Sequence, residues 1–358
     1  MGSFGLGLDI YVVVLLAAAL LNSKTCGGGV YEDALSRDNC GRLKGLLAVM
    51  VMFHHLAQRT DGGEIFHSFH HMGHLCVAAF LFLSGYGLMR QYMGRQDYLH
   101  GYLTKRLSAV CIPYLGCILL YWITSPAWRG AIYTPVEVLV SLVNGRPVAA
   151  NSWYVIACIW LYLLFYVAGR LMKRRYWGIV GLSAAFCVAW IVACQALGYG
   201  IYWYMSNFGF VLGMIWALKE ERWTPALKKW YWLALPAVTA AFLPTFWLTY
   251  HSDHMLSFGI VSSSLFVALV LLLLSKVKMQ SAFMAWLGTI SFEVYMIHGL
   301  FIALFRGTTL YVENEVLWVG LVLVCSVAAA VVLHKVFGAL IRAFVKACAP
   351  KRTRESVR

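Results

Sequence analysis

The chain has 358 residues, 61% of them hydrophobic and only 12% charged, about half the charge share of an ordinary soluble domain. That balance excludes a soluble globular enzyme. The formal net charge of +14 invites a nucleic-acid partner, but the basic residues are distributed as membrane topology requires, and no nucleic acid is expected.

Apolar runs close to the ~20 residues that cross a ~30 Å hydrocarbon core recur along the whole sequence. With their flanks they predict an all-α, polytopic transmembrane bundle of ten to eleven spans. In chain order these lie near 4–22, 42–59, 72–92, 107–124, 152–170, 177–196, 201–218, 231–250, 256–275, 284–305 and 316–337. The first run has no basic n-region and no small-residue cleavage site, and Lys24 follows it, so it reads as a retained span rather than a signal peptide. An amino terminus outside and a carboxyl terminus in the cytoplasm leave only Arg59, Arg129, Arg146 and Arg306, of 29 Lys and Arg, on the outer side. This is the bias of the positive-inside rule. The ten cysteines mostly fall in or beside spans, and the longer external loops hold none, so buried thiols rather than a disulfide framework are expected. The longest external segment, 125–151, carries its own apolar stretch, Val136–Val143, suited to a short interfacial or re-entrant helix. No soluble domain is evident, so any chemistry belongs to polar residues inside or beside spans.

The second span reads Arg42-Leu43-Lys44-Gly45 and continues to His54-His55. Lys44 and His55 are eleven residues apart, about three helical turns, which puts them on one face ~16 Å apart. Lys44 falls at the cytoplasmic mouth and His55 toward the outer leaflet. The third span holds Phe80-Leu81-Phe82-Leu83-Ser84-Gly85-Tyr86, and the fourth opens with Lys105-Arg106 ahead of Pro113-Tyr114. Trp153-Tyr154 begins a span at the outer interface, where an aromatic-belt pair and an aromatic stacking platform both fit. Late in the chain stands Ile290-Ser291-Phe292-Glu293-Val294-Tyr295-Met296-Ile297-His298, whose Glu293 needs a partner or a proton in the membrane. His67, His70, His71 and His74 are spaced for a metal if helical, but no thiol or carboxylate clearly joins them.

These segments, in this order, resemble the acyltransferase-3 family of membrane acyltransferases. The family's pattern is Arg or Lys, ten residues, then His in an early span. An F-F-x-x-S-G-Y/F segment, a basic stretch before proline, a Trp-Tyr/Phe pair and an I-S-Y-x-x-Y-x-x-H segment follow. The chain departs at Leu81, where a second Phe is usual, at Ala109, where a second Arg is frequent, and in its extra first span.

The resemblance divides the chain into an extra span and cytoplasmic loop (1–41), an acyltransferase-like membrane domain (42–345) and a basic cytoplasmic tail (346–358). It implies transfer of an acyl group, commonly acetyl, from cytoplasmic acyl-CoA to a hydroxyl of a cell-surface or secreted glycan, in the inner or cytoplasmic membrane. Lys44, Arg42 and Arg106 would meet the donor's phosphates, and Ser84 would line its tunnel. His55 would act as general base or acyl-accepting nucleophile, with Glu293 or His298 orienting the imidazole or shaping the acceptor site. Trp153 and Tyr154 would meet the acceptor. No metal is implied, and a separate extracytoplasmic transferase is a possible partner besides acyl-CoA, an exopolysaccharide-type acceptor and the bilayer. The competing class is a transporter of a polar or lipid-linked solute, but the duplicated halves common in transporters are not visible.

Overall fold

The computed structural model describes residues 2–348, apart from the side chains of the first few residues and of Ala150. The described chain folds into thirteen helices and one pair of two-residue strands. Seven helices are long and apolar enough to cross a membrane, and a bent pair makes an eighth. Their outward faces are apolar, with Val13, Val188, Val192, Leu243, Val324 and Val332 among the exposed side chains. Contiguous apolar surface of this kind belongs against lipid.

Helix α1 (Gly2–Leu20) runs from one end of the bundle to the other. Near its start Asp9 Oδ1 accepts from the Phe66 amide at 2.8 Å, and beyond its end strand β1 (Lys24–Thr25) pairs antiparallel with β2 (Val277–Lys278). Helix α2 (Arg37–Ala57), capped by Ser36, returns from that strand pair. The strand end is termed the basic end and the other the histidine end. After the short α3 (Glu64–His67) come α4 (Gly73–Gly94), α5 (Tyr102–Arg129) and α6 (Pro135–Asn144). Helix α6 starts on a Thr134/Glu137 capping box with proline at its first turn, the local signature of a helix start. It buries Ser141 and exposes Val136, Leu139 and Val143, an apolar face turned outward as the interfacial expectation requires.

Helices α7 (Trp153–Met172) and α8 (Tyr176–Ala196) form the next hairpin. Helix α9 (Phe208–His251) then continues for 44 residues, which would be ~66 Å if straight. It is not straight. A side chain at Gly209 would strike Ala78, Glu220 accepts from Tyr86 at 2.8 Å, and Tyr250 Oη again reaches the His71 carbonyl at 3.0 Å. Both ends of α9 therefore lie at one end of α4, so the helix folds back on itself beyond Glu220. Pro225 lies in this stretch, where a missing N–H and a ring clash weaken helical bonding. The spans expected at 201–218 and 231–250 are the two arms of this helix.

Helix α10 (Met255–Lys276) leads to the strand pair. Helices α11 (Ala282–Thr289) and α12 (Ser291–Leu304) divide one span, bent by 76° at Ile290, and α13 (Glu315–Ala347) closes the bundle. The bent pair is the eighth pass between the two ends, the second arm of α9 the ninth, and α1 and α2 the tenth and eleventh. The described chain thus begins at the histidine end and finishes at the basic end. Among the described residues all ten cysteines are free.

Candidate active site

Helix α2 carries the site because it packs without side chains in the way. A Cβ on Gly45 would overlap the Met284 carbonyl of α11, and one on Gly288 would overlap the Gly41 carbonyl. Glycine at both places lets α2 and α11 touch backbone to backbone, which fixes the height and rotation of the neighbouring Lys44.

Lys44 joins two cavities. Toward the basic end lies a vestibule of about 1080 Å³ lined by Arg37, Arg42, Lys44, Arg90 and Arg95, with Asp38 the single carboxylate. Arg42 Nε is buried in this region without a hydrogen-bond partner. Five cations against one anion make the vestibule an anion site, and an unpaired guanidinium N–H is costly until an acceptor arrives. Arg106 does not line it. Its Nη2 donates to Tyr98 Oη at 3.1 Å, beside a separate cleft of about 270 Å³ that shares Gln91 and Arg95 with the vestibule.

Inward from Lys44 the space narrows to a cavity of about 140 Å³, walled by Phe80, Ser84, Tyr154, Tyr162 and Tyr295. Ser84 Oγ and Tyr162 Oη share a hydrogen bond of 3.3 Å, so Ser84 lines the cavity as well as packing α4 on α7. The Tyr154 and Tyr295 rings meet edge to face at 5.1 Å. Tyr295 lies 6.0 Å from the His298 ring.

His298 is fully buried and stacks on His55, with centroids 5.2 Å apart and planes at 25°. Its Nδ1 lies 3.1 Å from the Val294 carbonyl and its Nε2 3.3 Å from Asn151 Nδ2. With the amide so oriented, Nδ1 carries the hydrogen and Nε2 accepts, which assigns a neutral imidazole. Asn151 is itself held, since its carbonyl accepts from Tyr295 Oη at 2.6 Å. His54 also lies against the His55 ring, with centroids 4.8 Å apart and planes at 55°. The His54 ring fills the space where a side chain on Gly73 would stand, and its Nδ1 meets the Phe69 carbonyl at 3.2 Å. His55 thus has two imidazole neighbours at the histidine end.

Glu293 is placed differently from His298. It is buried, and its Oε1 pairs with His334 Nδ1 of α13 at 2.9 Å. Its partner is therefore on the neighbouring helix, away from the His55 ring. Trp153 and Tyr154 are also buried, at 9% and 8% exposure, so neither is a lipid-facing belt residue. Trp153 packs on Tyr202 and Trp203, while Tyr154 belongs to the inner cavity. Among the described residues no three His, Cys, Asp or Glu side chains converge as metal ligands would. His67, His70 and His71 form a chain of rings with centroids 5.4 and 4.7 Å apart.

Several residues of this site carried little sequence signal. Tyr295 precedes His298 by three positions on one helix face and was legible in principle. Arg90 and Arg95 were indistinguishable from topogenic charges. Asn151 had no signal, and His334 only that of an ionisable residue within a span.

The fold and site define a multi-pass membrane protein with an anion-attracting mouth, a small internal cavity beyond it, and paired imidazoles further along, one of them 6.0 Å from a cavity-lining tyrosine. A protein-family model described as an acyltransferase domain matches residues 42–335, most of the chain, and the protein belongs to the acyltransferase-3 family. It is therefore a membrane acyltransferase in the broad sense. No curated protein and no solved structure matches it significantly.

Proposed function

We propose that this protein transfers an acyl group, acetyl, from acyl-CoA at the basic end to a hydroxyl of a cell-surface or secreted glycan at the histidine end. The observation that carries the reading is the axial order of three features: the Lys44 vestibule, the small aromatic cavity that Lys44 also lines, and the stacked His55–His298 pair beside the cavity's Tyr295. The residues fit an acyl-CoA. The vestibule offers Arg42 with its orphaned Nε, Lys44, Arg37 and Arg95 to phosphate oxygens, which guanidinium forks match in pairs. The ~16 Å from Lys44 to His55 is close to the reach of a pantetheine arm. The narrow section suits a thin chain carrying a short acyl group. Positive-inside bias supports a cytoplasmic basic end, and the proposed location is the inner or cytoplasmic membrane.

In this reading His55 accepts the proton of the acceptor hydroxyl as its oxygen attacks the thioester carbonyl. The carbon–sulfur bond breaks, the acyl group stays on the acceptor oxygen, and the thiolate leaves with the proton. His298 holds the ring plane of His55 and, being neutral, offers its π face to the imidazolium that forms. The test is purified protein in detergent with radiolabelled acetyl-CoA and candidate glycans, with His55→Ala as control. Glycan-dependent CoA release that disappears in the variant is expected. No release by the wild type, or equal release by His55→Ala, refutes the assignment.

A further inference from the structure

A second cavity, of about 700 Å³, lies beside the vestibule and shares Leu35, Tyr86 and Arg90 with it. Its charge is the reverse. Glu32, Asp33, Glu220 and Glu221 line it, against Arg90 and Lys228, and Asp33 is paired with Lys278. Glu220 lines this cavity and binds two of the shared residues. It accepts from Tyr86 Oη at 2.8 and 3.0 Å through its two oxygens, and Arg90 Nε approaches one of them at 3.5 Å. A carboxylate has about four lone-pair sites, so Glu220 retains acceptor capacity on the cavity side. Arg90 is half-exposed, with its guanidinium at the boundary of both spaces.

We propose that this cavity seats the nucleoside end of the donor, with Arg90 meeting the ribose 3′-phosphate and Glu220 accepting from the exocyclic amine of adenine. The inference rests on the acyl-CoA reading above. Coenzyme A is a linear succession of thiol, pantetheine, diphosphate, 3′-phosphorylated ribose and adenine. The protein presents a matching succession of His55, a narrow aromatic cavity, a cationic vestibule, Arg90 at a boundary, and a compartment rich in carboxylates. Phosphates are favoured in the cation-lined vestibule over the carboxylate-lined compartment, which orders the molecule. A neutral base bearing an amine donor suits the carboxylate side, and the apolar Leu35 and Pro225 flank it. Arg90 and Glu220 are therefore specificity determinants of the donor site, and they explain why a pair that only joins α4 to α9 faces open space.

Calorimetric titration of the full chain in detergent tests this with CoA, dephospho-CoA, 4′-phosphopantetheine and the CoA analogue whose 6-amino group is replaced by 6-oxo. Wild type should bind CoA at least tenfold more tightly than dephospho-CoA, and 4′-phosphopantetheine most weakly. Arg90→Ala should bring CoA down to the level of dephospho-CoA while leaving the latter within twofold. Glu220→Gln keeps the volume and the Tyr86 bond but adds an amide donor, so the preference for amino over oxo base should shrink or reverse. Equal losses of CoA and dephospho-CoA in Arg90→Ala, or an unchanged base preference in Glu220→Gln, overturn the assignment while the donor reading stands. No CoA binding by wild type overturns both.

Discussion

Replacing His298 by alanine separates the positioning of His55 from its chemistry. The substitution removes the ring stacked 5.2 Å from His55 and the acceptor of the Asn151 amide. Loss of a π face against a forming imidazolium costs about 1 kcal/mol, close to fivefold in rate. Freedom of His55 to move by ~1 Å adds up to about a hundredfold. We expect kcat to fall by between ten- and a few hundredfold, with KM for acetyl-CoA within about twofold, since the vestibule is untouched. His55→Ala should cost ~10² to 10⁴-fold, the usual worth of a general base. Because His298 acts through His55, the double variant should be no slower than His55→Ala alone. His298→Phe, which keeps a ring against His55, should recover part of the loss. Steady-state kinetics of the four proteins decide the matter. Multiplicative losses in the double variant, or a rise in acetyl-CoA KM with kcat preserved, would refute the positioning role.

Other outcomes follow from the same geometry. Lys44→Ala should raise the KM for acetyl-CoA at least tenfold without altering acceptor KM, and the reverse pattern would remove Lys44 from the donor path. His334→Ala should lower stability by about 1–3 kcal/mol, the cost of leaving the buried Glu293 unsatisfied, and Glu293→Ala should cost less because His334 is half-exposed. Thermal unfolding should show the double variant no less stable than His334→Ala if the pair is their main role. Gly288→Leu should force α11 from α2, with an overpacking cost of about 1–3 kcal/mol or more. A lowered midpoint and weakened acetyl-CoA binding are expected, and an unchanged KM would show that the α2–α11 approach does not set the height of Lys44. The anion vestibule also predicts that acetyl-CoA affinity falls as ionic strength rises, and salt-independent titrations would argue against phosphate contact there.

The sequence by itself determined the class, the spans and the axial order of the site. Hydrophobic runs of membrane length need no tertiary information, because each helix satisfies its own backbone in lipid. The eleven-residue offset of Lys44 and His55 needs only helical periodicity, and α2 carries both. What lies across from a helix face is another matter. No local rule tells that His298 stacks on His55 while Glu293, five positions earlier, pairs with His334. That partition depends on the 76° bend at Ile290 and on how α13 packs. Tertiary structure likewise decided that Trp153 and Tyr154 are buried, and that a single folded-back helix supplies two spans. It also separated Arg106 from the vestibule and put Arg90 and Glu220 at its edge. Charges read from sequence as topology acquire partners only when helices from distant parts of the chain converge, because side-chain contacts are made between helices and not along them.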